Sequence, residues 1–149
     1  MKISVFNSQK DLKIGVRSVR KAVQLSLEFH QIKCDEISLH FVTDRRMRLL
    51  HQQFFDDPSP TDCISFPYDQ DGSSGYFFLG EIFVCPKTAL LYVEVNGGDI
   101  YKEITLYAIH GILHLLGFDD IEGRKRKIMR SKENELMDYL TTHQQIFTP

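Results

Sequence analysis

Ile3 and Val5 alternate with polar neighbours over residues 2–7, the period-two signature of a short strand. From 9 to 29 the apolar positions move to spacings of three and four, through Leu12, Val16, Val19, Val23 and Leu27, which predicts a helix. Residues 35–43 return to strand spacing with Ile37, Leu39, Phe41 and Val42. Thr43 or Asp44 can then cap a helix holding Met47, Leu49 and Leu50, and Asp56-Asp57-Pro58-Ser59-Pro60 stops it, because proline cannot continue a helix and restricts the residue before it. Two further strands are expected at 63–66 and 77–85, paired as a hairpin through the loop 68–75 with its Asp71-Gly72 turn. Pro86 opens a helix to about Val95, Asn96-Gly97-Gly98 closes it, and Asp99 caps a long helix ending at Gly117. A last amphipathic helix over 121–140 is expected to bury Ile128, Met129, Leu136 and Leu140, with the chain frayed from Thr141 onward. Strands gather early and helices late, so the expected class is α+β: a four-stranded mixed sheet packed against helices, one domain over 1–149.

Composition narrows the function. At 42% hydrophobic and 26% charged, 149 residues suffice for a sizeable core. Eighteen basic against twenty acidic residues leave a net charge of −2, so contact with a polyanion must come from a local patch, and DNA is not an expected partner. Cys34, Cys63 and Cys85 are odd in number, widely spaced and free of Cys-x-x-Cys, which fits core thiols in a reducing cytosol. The first ten residues lack a signal peptide's apolar stretch, and the apolar run 106–118 is too short for a membrane span. A cytoplasmic protein with no membrane partner is expected.

That run carries the candidate chemistry. His110 and His114 are four apart, and four residues advance a helix only about 40° past a full turn, so both imidazoles share a face. The helix is apolar nearly all round, and buried imidazoles need partners. One would be an ordinary core histidine; two on one face, followed by a glycine and two aspartates, favour a metal. Gly117 can take the left-handed conformation that ends a helix, letting the chain double back with Asp119 or Asp120 over the same face. Two histidines and a carboxylate with a fourth position for water make a catalytic zinc pattern on a central metal helix like that of the zincins, one ion per chain.

The stretch His110-Gly-Ile-Leu-His-Leu-Leu-Gly-Phe-Asp119, together with Pro60-Thr-Asp-Cys-Ile-Ser-Phe66-Pro67 and Leu79-Gly-Glu-Ile82, resembles the YbeY family of bacterial endoribonucleases, also called rRNA maturation factors. Met129 and Glu133 also fall where that family carries a methionine and a glutamate. The likeness runs from the second strand to the last helix. Two departures stand out: Asp120 replaces a third histidine, and Phe55 occupies the position of an arginine thought to steady the phosphate.

The resemblance implies a single-strand-specific, zinc-dependent endoribonuclease acting on rRNA precursors, chiefly at the small-subunit 3′ end, with a role in ribosome quality control and the small subunit as partner. Its metal ligands would be His110, His114 and Asp120, the last an anion that should weaken the ion as a Lewis acid and so reduce activity. The ion would polarise a phosphoryl oxygen, with metal-bound water as nucleophile. Asp119 either takes part in catalysis by orienting a ligand or caps the next helix. Arg45, Arg46 and Arg48 either replace the missing arginine in catalysis or form a solvated face. Arg124, Lys125, Lys127 and Arg130, within a run that also holds Arg126 and Lys132, either grip RNA phosphates or line the outside of an amphipathic helix. No aromatic platform for stacking bases is legible. A ribosome-assembly factor with a structural metal is the alternative. A zincin-type metalloprotease is disfavoured, since it needs a glutamate after the first histidine and this chain has Gly111.

Overall fold

The computed structural model describes residues 1–69, 73 and 75–149, so the expected Asp71-Gly72 turn lies outside the described residues. In chain order the elements are β1 (Lys2–Asn7), α1 (Val16–Phe29), β2 (Glu36–Phe41), α2 (Asp44–Phe55), β3 (Cys63–Pro67), β4 (Phe78–Val84), α3 (Pro86–Asn96), α4 (Ile100–Leu115) and α5 (Gly123–Thr142). The four strands form one sheet in the order β1-β2-β4-β3. β1 and β4 each run parallel to β2, and β3 runs antiparallel to β4, with Ser65 opposite Ile82, which is the expected hairpin in a mixed sheet.

The two faces of the sheet are unequal. Ile37, Leu39, Phe41, Ile82 and Val84 pack into the main core with α1, α4 and α5. Ile64, with Phe66 and Phe83, joins Met47 and Leu50 of α2 and Cys85 in a smaller cluster. On the strands, Phe6, His40 and Phe83 stack across β1, β2 and β4 at ring separations of 4.8 and 4.3 Å, an aromatic row that cross-strand register assembles and linear sequence hides.

Three expectations fail for local reasons. The first helix begins at Val16, not residue 9, because the buried Gln9 amide folds residues 7–12 into a turn: its Nε2 donates to Asn7 Oδ1 and to the Leu12 carbonyl, and its Oε1 accepts the Leu12 N–H. Ile128 is exposed, and the buried stripe of α5 runs through Met129, Leu136 and Leu140. The C-terminus does not fray: Phe147 is buried beside Phe41, its N–H donates to Thr105 Oγ1, and Thr148 bonds both Ser18 and Gly15.

α4 lies behind the sheet, and a glycine lets it approach closely. A Cβ on Gly111 would come within 2.6 Å of Ile82 Cγ2 and 3.0 Å of Cys63 Sγ. With hydrogen there, Ser65 Oγ reaches the Gly111 carbonyl at 3.1 Å and β3 is bound beneath the histidines. Among the described residues no helix is long and apolar enough to cross a membrane.

Candidate metal centre

α4 starts where expected, with the Asp99 carboxylate accepting the N–H groups of Tyr101 and Lys102. Its far end sets the site. Gly117 sits at φ +99°, its N–H donates to the His114 carbonyl, and the Phe118 N–H donates to the Leu113 carbonyl. This Schellman closure satisfies the last carbonyls and turns the chain back. Asp120 thereby arrives over the face that carries both histidines.

The three donors converge. His110 Nε2 and His114 Nε2 are 3.0 Å apart, and the Asp120 oxygens lie 3.5 Å from the first and 3.7 Å from the second. All three donor atoms fall within 4.8 Å of one another, a group that could hold a metal ion. Two ligands on a tetrahedral ion with bonds of about 2.0 Å are about 3.3 Å apart, so the observed spacings bracket what such an ion needs. Protonation points the same way. Glu133 Oε1 is 2.6 Å from His110 Nδ1, and in the neutral imidazole an Nδ1–H donating to that carboxylate leaves the Nε2 lone pair facing the other donors. One proton could bridge two of the three donors; a cation satisfies all of them.

Burial pulls the His110 pKa down, but the hydrogen bond and charge of Glu133, with Asp62 and Asp120, outweigh it and the net shift is upward. His114 has no such carboxylate beneath it: burial, then the neighbouring His110, hold it below the ordinary value despite Asp120. Cys63 lines the floor, and its pKa is driven up by burial first and then by Asp62, so it stays a thiol.

Two grooves meet at the histidines. One, of about 370 Å³, runs between α4 and α5 past His110 and Asp120, with Asp62, Glu133, Arg126 and Arg130 in its walls. The other, of about 350 Å³, opens on the His114 side and is lined by Phe55 and His51 of α2 with Thr61, Ser65 and Pro67.

The remaining sequence candidates divide accordingly. Arg130 stands in the first groove. Lys125 reaches Asp119 at 3.5 Å, and Asp119 also accepts the Ile121 N–H, so Asp119 braces the loop while its charge still acts on His114. Arg124 and Lys127 are exposed on α5. Arg45, Arg46 and Arg48 lie seven to ten residues before Phe55 on α2, about 10–15 Å of helix at 1.5 Å per residue, and none of them lines the His114 groove. Arg48 is held by Asp44 at 2.7 Å, and Arg46 lines a separate groove with Phe54 and Glu81. Sequence reasoning gave Glu133 no role, yet a signal existed. Glu133 follows Met129 by four and precedes Leu136 and Leu140 by three and seven, which places a carboxylate inside the buried stripe of α5.

An α+β layer whose buried helix offers two imidazoles, with a carboxylate turned back over them, defines a protein with a candidate histidine-pair metal site. Comparison with known proteins narrows this. The sequence model of the family described as "Endoribonuclease YbeY" matches residues 4–141. The chain is 44% identical over 138 residues to the endoribonuclease YbeY of Protochlamydia amoebophila (strain UWE25), covering 93% of this chain and 92% of that one. It is 39% identical over 152 residues to the YbeY of Chlamydia pneumoniae, covering 99% and 96%. The solution structure of a Thermotoga maritima protein superposes with a TM-score of 0.67 at 25% identity, covering 96% and 91%. The chain belongs to the YbeY endoribonuclease family, nucleases that act on RNA phosphodiester bonds.

Proposed function

We propose that the chain works as a single-domain, zinc-dependent, single-strand-specific endoribonuclease of the cytoplasm that matures the 3′ end of small-subunit rRNA on its precursor and serves ribosome quality control. The observation that carries this reading is the convergence of His110, His114 and Asp120, with Glu133 fixing the first imidazole, in a chain of an endoribonuclease family. Zinc suits the donor set, two imidazole nitrogens and a carboxylate oxygen at near-tetrahedral spacing. When bound, the ion supplies Lewis-acid polarisation of the scissile phosphodiester.

The protein groups do the rest. His110 and His114 hold the ion through Nε2 and Asp120 adds an anionic ligand. Glu133 fixes the His110 tautomer, and its charge offsets part of the ion's. Arg130, with Arg126, draws the backbone phosphates toward His110 along the α4–α5 groove, and Arg124, Lys125 and Lys127 extend that positive side of α5. Asp119 serves by holding the loop that delivers Asp120.

A fluorescent single-stranded RNA carrying a small-subunit 3′ extension, incubated with zinc-loaded protein beside H110A/H114A, tests the proposal. Cleavage by the wild type alone, with a duplex control left intact, is the expected result. Equal cleavage by both proteins would contradict it, and binding without cleavage would transfer the chain to the assembly-factor reading.

A further inference from the structure

The groove on the His114 side differs from the charged one, which holds two arginines and four carboxylates, in a way that names its occupant. Phe55 is 55% exposed, a large ring held open to water at the last turn of α2. Its place is fixed: the His51 ring packs beside it at 5.6 Å, and His51 Nδ1 in turn donates to the Ser59 carbonyl at 2.8 Å, tying the rim loop to the helix. Opposite stand Pro67 and the hydroxyl-bearing Thr61 and Ser65, and at the inner end is the metal-facing His114. Among the described residues lining this groove none is a lysine, an arginine or a carboxylate. A phosphate would find no charge there, and a cation no anion. A flat, uncharged, hydrogen-bonding group would find an aromatic wall and polar edges.

We propose that this groove is a nucleobase subsite, in which an unpaired base of the RNA next to the scissile phosphate stacks on Phe55 while its edge meets Thr61 and Ser65. The inference rests on the endoribonuclease reading and adds to it the asymmetry of substrate contact. The chain's sugar and phosphates continue past His110 between α4 and α5, where Arg126 and Arg130 stand, and the base on the other side turns away from that charge. A stacked base needs a π-face and little sequence identity, so the subsite selects single strands over duplexes, whose bases are already stacked. About 350 Å³ leaves room for an unpaired base.

The test pairs protein and RNA changes. Single-stranded RNA made resistant to cleavage by 2′-O-methylation is titrated against wild type, F55A, F55L and F55W, and each titration is repeated with one abasic nucleotide moved stepwise along the strand. We expect F55A and F55L each to bind about tenfold more weakly and F55W to bind as wild type does, because loss of a base–aromatic stack is typically worth that factor. One abasic position should cost the wild type a similar factor and cost F55A nothing further, the coupling that marks direct contact. The abasic arm leaves the protein untouched, so misfolding cannot imitate it. A 2-aminopurine at that position should lose fluorescence with the wild type and keep it with F55A. Equal binding by F55L and wild type, or no abasic position that couples to Phe55, would overturn the subsite while leaving the nuclease reading intact. Failure of the wild type to bind or cleave any RNA would overturn both.

Discussion

On the α5 side of the His110–His114 pair the walls carry two arginines and several carboxylates; on the α2 side they carry aromatic rings, a proline and hydroxyls. Both grooves rest on α4, the first reaching His110 and the second His114, one turn further along the same floor. Their difference comes from the elements that flank that floor. α5 turns a helix with basic residues over it, whereas α2 brings only its last turn, His51 and Phe55, and the edge strand β3 brings short polar side chains. One metal helix can thus offer two unlike surfaces to one polymer, charge on one side of the bond and a ring on the other.

Removing Glu133 strikes hardest, because it acts through the His110 imidazole, one of the three converging donors. E133Q keeps the shape and loses the charge, and loss of such a carboxylate behind a ligand typically lowers metal affinity about 10- to 100-fold, read by competition with a chelating dye. The same variant carries a pH signature. In metal-free wild type, NMR should show His110 titrating above the ordinary histidine value and His114 below it, and E133Q should bring His110 down. The ion must displace a proton from His110, so metal affinity should climb as pH rises through that raised pKa. For the metal-free fold the sign is opposite: a raised pKa contributes stability that is fully present below the unfolded value of about 6.5 and is lost as pH rises through the folded one.

G111A tests the shared floor. The added methyl meets Ile82 and Cys63 and must push β3 from α4, so we expect a loss of about 1–3 kcal/mol in urea unfolding and a drop in affinity on both sides. R126A/R130A separates the grooves more gently. Removal of each arginine–phosphate pair should flatten the salt dependence of single-stranded RNA binding by about 0.7 in the log–log slope, whereas F55A should weaken binding with the slope unchanged.

Local patterns made most of the fold legible. Strand-like spacing marked the first two strands, turn signals between apolar runs marked the other two, the Asp99 cap and Gly117 bounded α4, and the spacing of His110 and His114 announced a shared face. What stayed hidden depends on groups that meet from far apart in sequence or on a single side chain overriding its segment's periodicity. Residues 9–15 carry helical spacing, yet the Gln9 amide turns them. Phe147 anchors a tail that looks polar and short, because its partners lie in α4 and the sheet. The convergence of His110, His114 and Asp120 could be read because helix periodicity and a glycine stop are local. Glu133, 23 residues from His110, showed as a match to the family pattern and as an anomalous charge in an apolar stripe, but neither signal named His110 as its partner. The three arginines of α2 are near Phe55 in sequence, but a rigid helix holds them about two turns from the site.

The proposed metal centre needs one ion held by His110, His114 and Asp120, and metal analysis of protein purified without chelator tests it most directly. One zinc per chain in the wild type and none in H110A/H114A is the predicted result. A wild type that carries no transition metal even after zinc is supplied, or a double variant that retains as much as the wild type, would contradict it.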